Sequence, residues 1–289
     1  MPTDPIVVSY SEIASFRQCP HQHKLGYKER WAGPTTSPAL LKGTLWHKVL
    51  EWHYRWLKDQ PGDLDGAVRA GRQQIVQARR EGFDEVADLV EWMYAGYIDM
   101  YGADKDWEIL AVEQKIEVPL LTARGHRSRF RLKMQIDLLV RDAAMRGKLV
   151  MVDHKSGQNL PSEAELDMAD QFGLYIWGLK HVGYDMFAGL WNGARTQRNK
   201  TAGQTLESRF RRFPLARTDF ELNTIATEAY ATARKMWAAG ELAERHPDKD
   251  RCKWMCQFRD ACLLGRKTGE DRERRYLLDT GWSPGAERH

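Results

Sequence analysis

The sequence is poor in cysteine, has no long apolar run and carries little excess of either charge. Each shortage removes a class of protein. Four cysteines in 289 residues are too few for the disulfide frameworks of small secreted domains. No apolar stretch approaches the ~20 residues that cross a bilayer as a helix. The opening MPTDPIVVSY lacks the basic start and apolar core of a signal peptide, so a cytoplasmic protein is expected. No Gly-x-x-x-x-Gly-Lys-Ser/Thr occurs, which excludes a P-loop. No internal repeat and no low-complexity linker interrupts the chain.

What is present describes a globular chain able to bury a large core, with 42% hydrophobic and 29% charged residues. A net charge of +4 and a pI near 8.8 permit a nucleic-acid partner without requiring one. The distribution is more informative. Arg124, Arg127, Arg129, Arg131 and Lys133 form one basic cluster, and Arg195, Arg198, Lys200, Arg209, Arg211 and Arg212 form another. Either could follow a phosphate backbone.

Periodicity gives the elements. Ser9 to Gln18 reads as a short helix stopped by Pro20, and Pro34 to Pro38 as a loop. Leu41, Leu45, Val49, Trp52 and Trp56 recur at helical spacing over Ala39 to Lys58. Helices are also expected over Asp65–Glu81 and Asp84–Tyr101. The period then falls to two, predicting strands over Trp107–Pro119, Phe130–Val140 and Leu149–Lys155. The last is apolar from Leu149 to Val152, as a strand buried on both faces would be. Ser162 and Glu165 form a capping box for a helix reaching about Val182. A short strand over Phe187–Trp191, an extended or irregular stretch over Phe213–Phe220, a helix over Glu221–Gly240 and a weakly ordered tail from Arg266 complete the reading. The order is that of a mixed α/β fold. The expected organisation is one domain over 1–289: a helical part over 1–105, an α/β core over 106–200, and a terminal region over 201–289.

Chemistry concentrates on two of these strands. Side chains two apart on a strand share a face, so Asp153 and Lys155 project together, while Asp137 shares the polar face of its own strand with Lys133 and Gln135. An ionised Asp153 after four apolar residues is costly unless paired or bound to a metal. Ser156-Gly157 ends the strand and leaves both groups at its mouth. An acid on one strand and an acid-x-lysine on the next can hold a divalent cation beside an ammonium group, the equipment of phosphodiester hydrolysis. The ring of His154 points the other way, but its backbone carbonyl could serve as a hard oxygen ligand. His47, four residues after Gly43 on a predicted helix, and Glu113, on the preceding strand, are further candidate metal ligands. Gln171 and Tyr175 share a helix face. Cys252, Cys256 and Cys262 lie close together with Cys19 far away, a pattern by which thiolate sites are assembled.

Together these residues resemble the RecB-like branch of the PD-(D/E)XK nuclease superfamily. The resemblance rests on Gly43 to His47, Asp137, Asp153-His154-Lys155-Ser156-Gly157 and the pair Gln171 and Tyr175, in that order along the chain. Ser9-Tyr10-Ser11 leading to Cys19-Pro20, with the three later cysteines, resembles the branch's iron–sulfur subset, which includes AddB-type nuclease domains, CRISPR-associated exonucleases and phage relatives. The subset spaces its first two C-terminal cysteines by two residues, whereas three separate Cys252 from Cys256. The resemblance implies a central mixed sheet flanked by helices and a Mg²⁺- or Mn²⁺-dependent DNA exonuclease for recombination, repair or replication in a bacterium or phage. It also implies a preference for single-stranded DNA and 5′→3′ digestion. His47, Asp137, Asp153 and the His154 carbonyl would bind the metal, with Glu113 a further candidate. Lys155, Gln171 and Tyr175 would act beside them, and Arg129, Arg131, Arg195 and Arg198 would hold DNA. Cys19, Cys252, Cys256 and Cys262 would ligate a [4Fe–4S] cluster, with structural zinc as the alternative. A second reading is a DNA-binding scaffold with dormant nuclease activity that partners a helicase, a recombinase or a CRISPR integration complex.

Overall fold

A computed structural model describes residues 4–34, 38–198, 204–240 and 243–285. The tip of the predicted loop over 35–37 and Lys200 lie outside the described residues. The chain divides into two compact units, one built from residues 37–118 and 133–226, the other from 1–36, 119–132 and 227–289.

In chain order the elements are β1 (Ile6–Ser9), α1 (Tyr10–Gln18), α2 (Pro20–His23) with a π-turn after it, α3 (Pro38–Asp59), α4 (Leu64–Arg80) and α5 (Asp84–Tyr101). Next come β2 (Trp107–Leu121), β3 (Arg127–Asp142), β4 (Lys148–Gly157), α6 (Glu163–Asp167), α7 (Asp170–His181) and β5 (Met186–Arg195). The chain continues with α8 (Leu206–Arg209), β6 (Phe210–Leu215), α9 (Asp219–Ala238), α10 (Lys249–Trp254), α11 (Arg259–Thr268) and α12 (Glu270–Asp279). The sheet runs β1-β3-β4-β5-β6, with β2 also paired to β3. β4 is antiparallel to β3 and parallel to β5, and β5 is antiparallel to β6, so the sheet is mixed.

The unit of residues 37–118 and 133–226 packs α3 and α5 against the sheet, with α4 packed on those two helices. β4 sits between two partners, and its run from Val150 to Val152 is buried on both faces, as the apolar sequence demands. The parallel β4–β5 pair needs a crossover, which α6 and α7 supply. α7 lies close on the sheet because Gly189 has no side chain: a Cβ there would come within 2.6 Å of Phe172.

Several expectations change. The helix expected from Ser162 keeps its capping box but breaks at Met168–Ala169, where Ala169 turns extended, so Gln171 falls in the first turn of α7. The strand expected to stop at Trp191 runs on to Arg195 because β4 pairs with it across the Asn-Gly that reads as a turn. Pro20 does more than stop α1; it opens α2 at a position where its missing N–H costs nothing. The buried stripe of α3 keeps Leu45 and Val49 and adds Trp46, Leu50, Tyr54 and Leu57, while Trp52 and Trp56 are exposed. The tail from Arg266 is helical: α11 and α12 pack through Ala261 and Leu277 into a small core with Leu25, Trp31 and Phe258. Its charged residues conceal apolar positions at helical spacing. β1 escaped notice because four residues give too short a run for its alternation to register.

Candidate active site and a four-cysteine cavity

The three strand residues singled out above are brought together within the larger unit. Asp137 is buried in β3, and its Oδ2 accepts a hydrogen bond of 2.7 Å from the backbone N–H of His154 on β4. The register thus locks the two acidic strands to each other through the carboxylate itself. Lys155 Nζ lies 2.7 Å from Asp153 Oδ2, as expected for neighbours on one strand face. Gln171, at the start of α7, bridges both: its Oε1 accepts from Lys155 at 3.4 Å and its Nε2 donates to Asp153 Oδ1 at 3.5 Å. Tyr175 follows one turn later and is buried.

α3 delivers His47, whose Nδ1 is 3.3 Å from Asp137 Oδ2. A Cβ on Gly43, one turn earlier, would meet nothing within 4 Å, so this glycine packs against no other backbone. Glu113 of β2 completes a group with His47 and Asp137 whose ligand atoms all lie within 4.8 Å of one another. Its backbone is left-handed, with φ +52° in mid-strand, and Gln135 donates to its carboxylate. A non-glycine residue held there costs on the order of 1–2 kcal/mol. The strand tolerates that cost at the position that joins the acidic group.

Electrostatics fit a cation. Burial, then the nearby Asp153 and Glu113 carboxylates, push the Asp137 carboxyl well above its ordinary range. Burial likewise raises Glu113, with Glu51 and Asp153 adding to it. Burial lowers His47 in spite of Asp153, so its imidazole is neutral and free to act as a ligand. Carboxylates forced together and a neutral imidazole are a donor set whose mutual repulsion a divalent ion would relieve.

The other unit gathers the four cysteines around one cavity of about 60 Å³, with Phe258 and His246 also on its wall. All four are free thiols, half-buried. Cys19 Sγ accepts from His246 N–H at 3.5 Å and Cys252 Sγ from Asp248 N–H at 3.4 Å, while the Arg245 side chain donates to Cys262. Burial raises the Cys256 and Cys262 thiols, and the three other cysteines push Cys256 further up.

Comparison with known proteins decides the family. Residues 7–263 match the model of the PD-(D/E)XK nuclease superfamily. The chain belongs to that superfamily. No curated protein matches it. Two solved structures align at low identity. A candidate exonuclease from Eubacterium rectale is 14% identical, over 85% of this chain and 86% of that one, with a TM-score of 0.47. The protein SSO0001 is 15% identical, over 72% and 78%, with a TM-score of 0.34. A PD-(D/E)XK nuclease needs its acidic strand pair over a mixed sheet, and the α/β architecture described above provides it.

The four arginines proposed for DNA have different settings. Arg195 binds the loop after β4 through Gln158 O (2.9 Å), and Arg198 donates to Asp88 O (2.7 Å) and lies over the Trp92 ring. Arg129 lies over Trp237 and beside Phe130, with Arg131 two residues further along β3. Sequence reasoning missed Asn192, Tyr97, Tyr54 and Asp104, which form a buried polar network behind β4 with Arg212, a member of the second basic cluster that turns inward to pair with Asp104 rather than outward to a phosphate. The one legible signal was a polar Asn following an apolar strand run, and ending β5 at Trp191 discarded it.

Proposed function

We propose that this nuclease is a divalent-metal-dependent DNA exonuclease that digests single-stranded DNA from free ends in the 5′→3′ direction. Asp137, set by the His154 N–H and flanked by His47 and Glu113, is the observation that carries the reading. His47, Asp137, Asp153, Glu113 and the His154 carbonyl would hold Mg²⁺ or Mn²⁺. When bound, such a cation would supply polarisation of the scissile phosphate and a more acidic water. The chain's own groups do the rest. Asp153 holds the Lys155 ammonium at 2.7 Å, where it can orient the attacking water and stabilise charge developing on phosphate oxygen. Gln171 keeps the pair in register, and Tyr175, buried one turn further along α7, would act beside it. Arg129, Arg131, Arg195 and Arg198 would contact the DNA backbone.

The four-cysteine cavity fits a [4Fe–4S] cluster. Four thiols converge on it, backbone N–H groups point at two of the sulfurs, and Arg245, Arg251, Arg259 and Arg266 line it, countering the negative charge of a thiolate-bound cluster. These features support our reading of the protein as a member of the iron–sulfur subset of the RecB-like branch.

The test is cleavage of linear and circular single-stranded DNA with Mn²⁺ and with EDTA. Linear DNA labelled at its 5′ end should release label first as mononucleotide or short oligonucleotide, and circular DNA should survive. Cutting of the circle would replace the exonuclease reading with an endonuclease. Early release of a 3′ label would reverse the direction.

A further inference from the structure

His154 stands between Asp153 and Lys155 yet turns its ring to the opposite face of β4, where it is 2% exposed. The ring is held on three sides. Tyr54 stacks on it with centroids 5.5 Å apart and planes 11° from parallel, His47 meets it edge-on at 6.3 Å, and Asn192 Nδ2 lies 2.8 Å from its Nδ1. His47 and Tyr54 are seven residues apart, two turns along one face of α3. The His154 ring is therefore wedged between two turns of the helix that carries His47, and its size sets where that helix rests along β4.

The hydrogen bonds around Asn192 have only one consistent direction. Arg212 can only donate, and it does so to Asn192 Oδ1 (3.3 Å), Tyr97 Oη (3.1 Å) and Asp104 Oδ2 (2.9 Å). With its oxygen so occupied, Asn192 gives its two N–H groups to Tyr97 Oη (2.7 Å) and to His154 Nδ1. Tyr97, accepting twice, donates to Tyr54 Oη (2.6 Å), which donates to Asp104 Oδ2 (2.7 Å). The ring closes with each of these donors matched, and His154 is left with its proton on Nε2. A buried Arg–Asp pair contributes less to stability than an apolar filling would. The Nε2 of His154 has no hydrogen-bond partner among the described residues, so the network is satisfied on the Nδ1 side, where its one consistent direction favours a single geometry.

We infer that His154 and Asn192 are positioning residues: the His154 ring is the spacer that sets His47 against Asp137, and Asn192 fixes that ring in one tautomer and one orientation. The inference rests on the metal-site reading above. Removing such supporting groups lowers metal affinity by about 10- to 100-fold. Calorimetric titration of Mn²⁺ into the full chain should therefore give a dissociation constant raised at least about tenfold in Asn192→Ala and His154→Leu. His154→Gln, which returns an acceptor to Asn192, should recover part of the loss. The KM for DNA should stay near wild type, and cleavage should return at saturating Mn²⁺. A merely structural role would lower the melting temperature and leave Mn²⁺ affinity unchanged, and that result overturns the inference. Should His154→Leu fail to fold, Asn192→Ala decides alone, because it leaves ring, strand and helix in place. Asp153→Ala separates the two readings. If it binds Mn²⁺ and cuts as wild type, the metal site itself is misplaced. If it is inactive while Asn192→Ala binds Mn²⁺ normally, only the positioning role is lost.

Discussion

The two units each gather candidate ligands for a metal, and they do so in opposite ways. In the larger unit the donors sit on β2, β3, β4 and α3, and the backbone of one strand hydrogen-bonds the carboxylate of another. Burial and the β register hold Asp137 in place, and burial favours its protonated form until a cation binds. In the other unit, thiols from α1's end and from α10, α11 and the loop between them line a cavity, fixed by long N–H···S contacts and flanked by exposed Trp254 and Met255. One site is organised by its fold, and the other is a place where the bound group would organise the fold. On the proposed reading, the bound group would be a reagent in the first case and a fastener in the second.

The largest effect should come from the first site. Asp137→Ala and Asp153→Ala should each lower cleavage at least ~10³-fold, about 4 kcal/mol of barrier, while far-ultraviolet circular dichroism stays that of the wild type. Loss of fold in either variant would erase the contrast between the units. Next come the cysteines. Cys19→Ser should be as damaging as Cys256→Ser, releasing the bound metal and lowering the melting temperature by an amount worth several kcal/mol. Metal analysis reads the outcome: about four irons per chain with absorption near ~400 nm supports the cubane, and one zinc with no iron replaces it. A stable, metal-free wild-type protein would break the comparison outright.

Lys155→Ala should cost less than the ligand variants, on the order of 10²-fold in rate, with Mn²⁺ affinity kept. Lys155→Arg should not restore it, because a planar fork does not replace a compact ammonium. The smallest effect is one of pH. Asp137 and Glu113 are both raised by burial, so the folded protein binds more protons than the unfolded chain between the ordinary carboxylate range and their raised values. Metal-free stability should fall as pH rises through that window, and Mn²⁺ affinity should rise across it. Asp137→Asn should flatten both trends. Denaturant melts with and without Mn²⁺ across the window test this, and a metal-free protein that gains stability with rising pH would contradict the assigned charges.

Strand alternation and local spacing made much of this legible. Asp153 and Lys155 share a face because the backbone repeats every two residues, and nothing in the tertiary structure alters that. The capping box at Ser162 survived for the same local reason. What failed depended on partners distant in sequence. Asn192 lay in an Asn-Gly that favours a turn until β4 offers it a parallel neighbour. Leu45 and Val49 are buried as their period implies, but Trp52 and Trp56 of the same period are exposed, and Trp46, Leu50 and Tyr54 are buried in their place. Glu113 was readable as a strand acid, whereas its left-handed backbone was not.

The division of the chain has a consequence for synthesis. The larger unit ends at Ala226, and Arg212, the last residue of its polar network, precedes Cys252 in sequence. A ribosome therefore releases every residue of the Asp137 site while three of the four cysteines are still unmade. The candidate active site can assemble first, and the cysteine site can close only after Cys262 has been made. A nascent chain arrested between Arg212 and Cys252 would hold one site complete and the other represented by Cys19 alone.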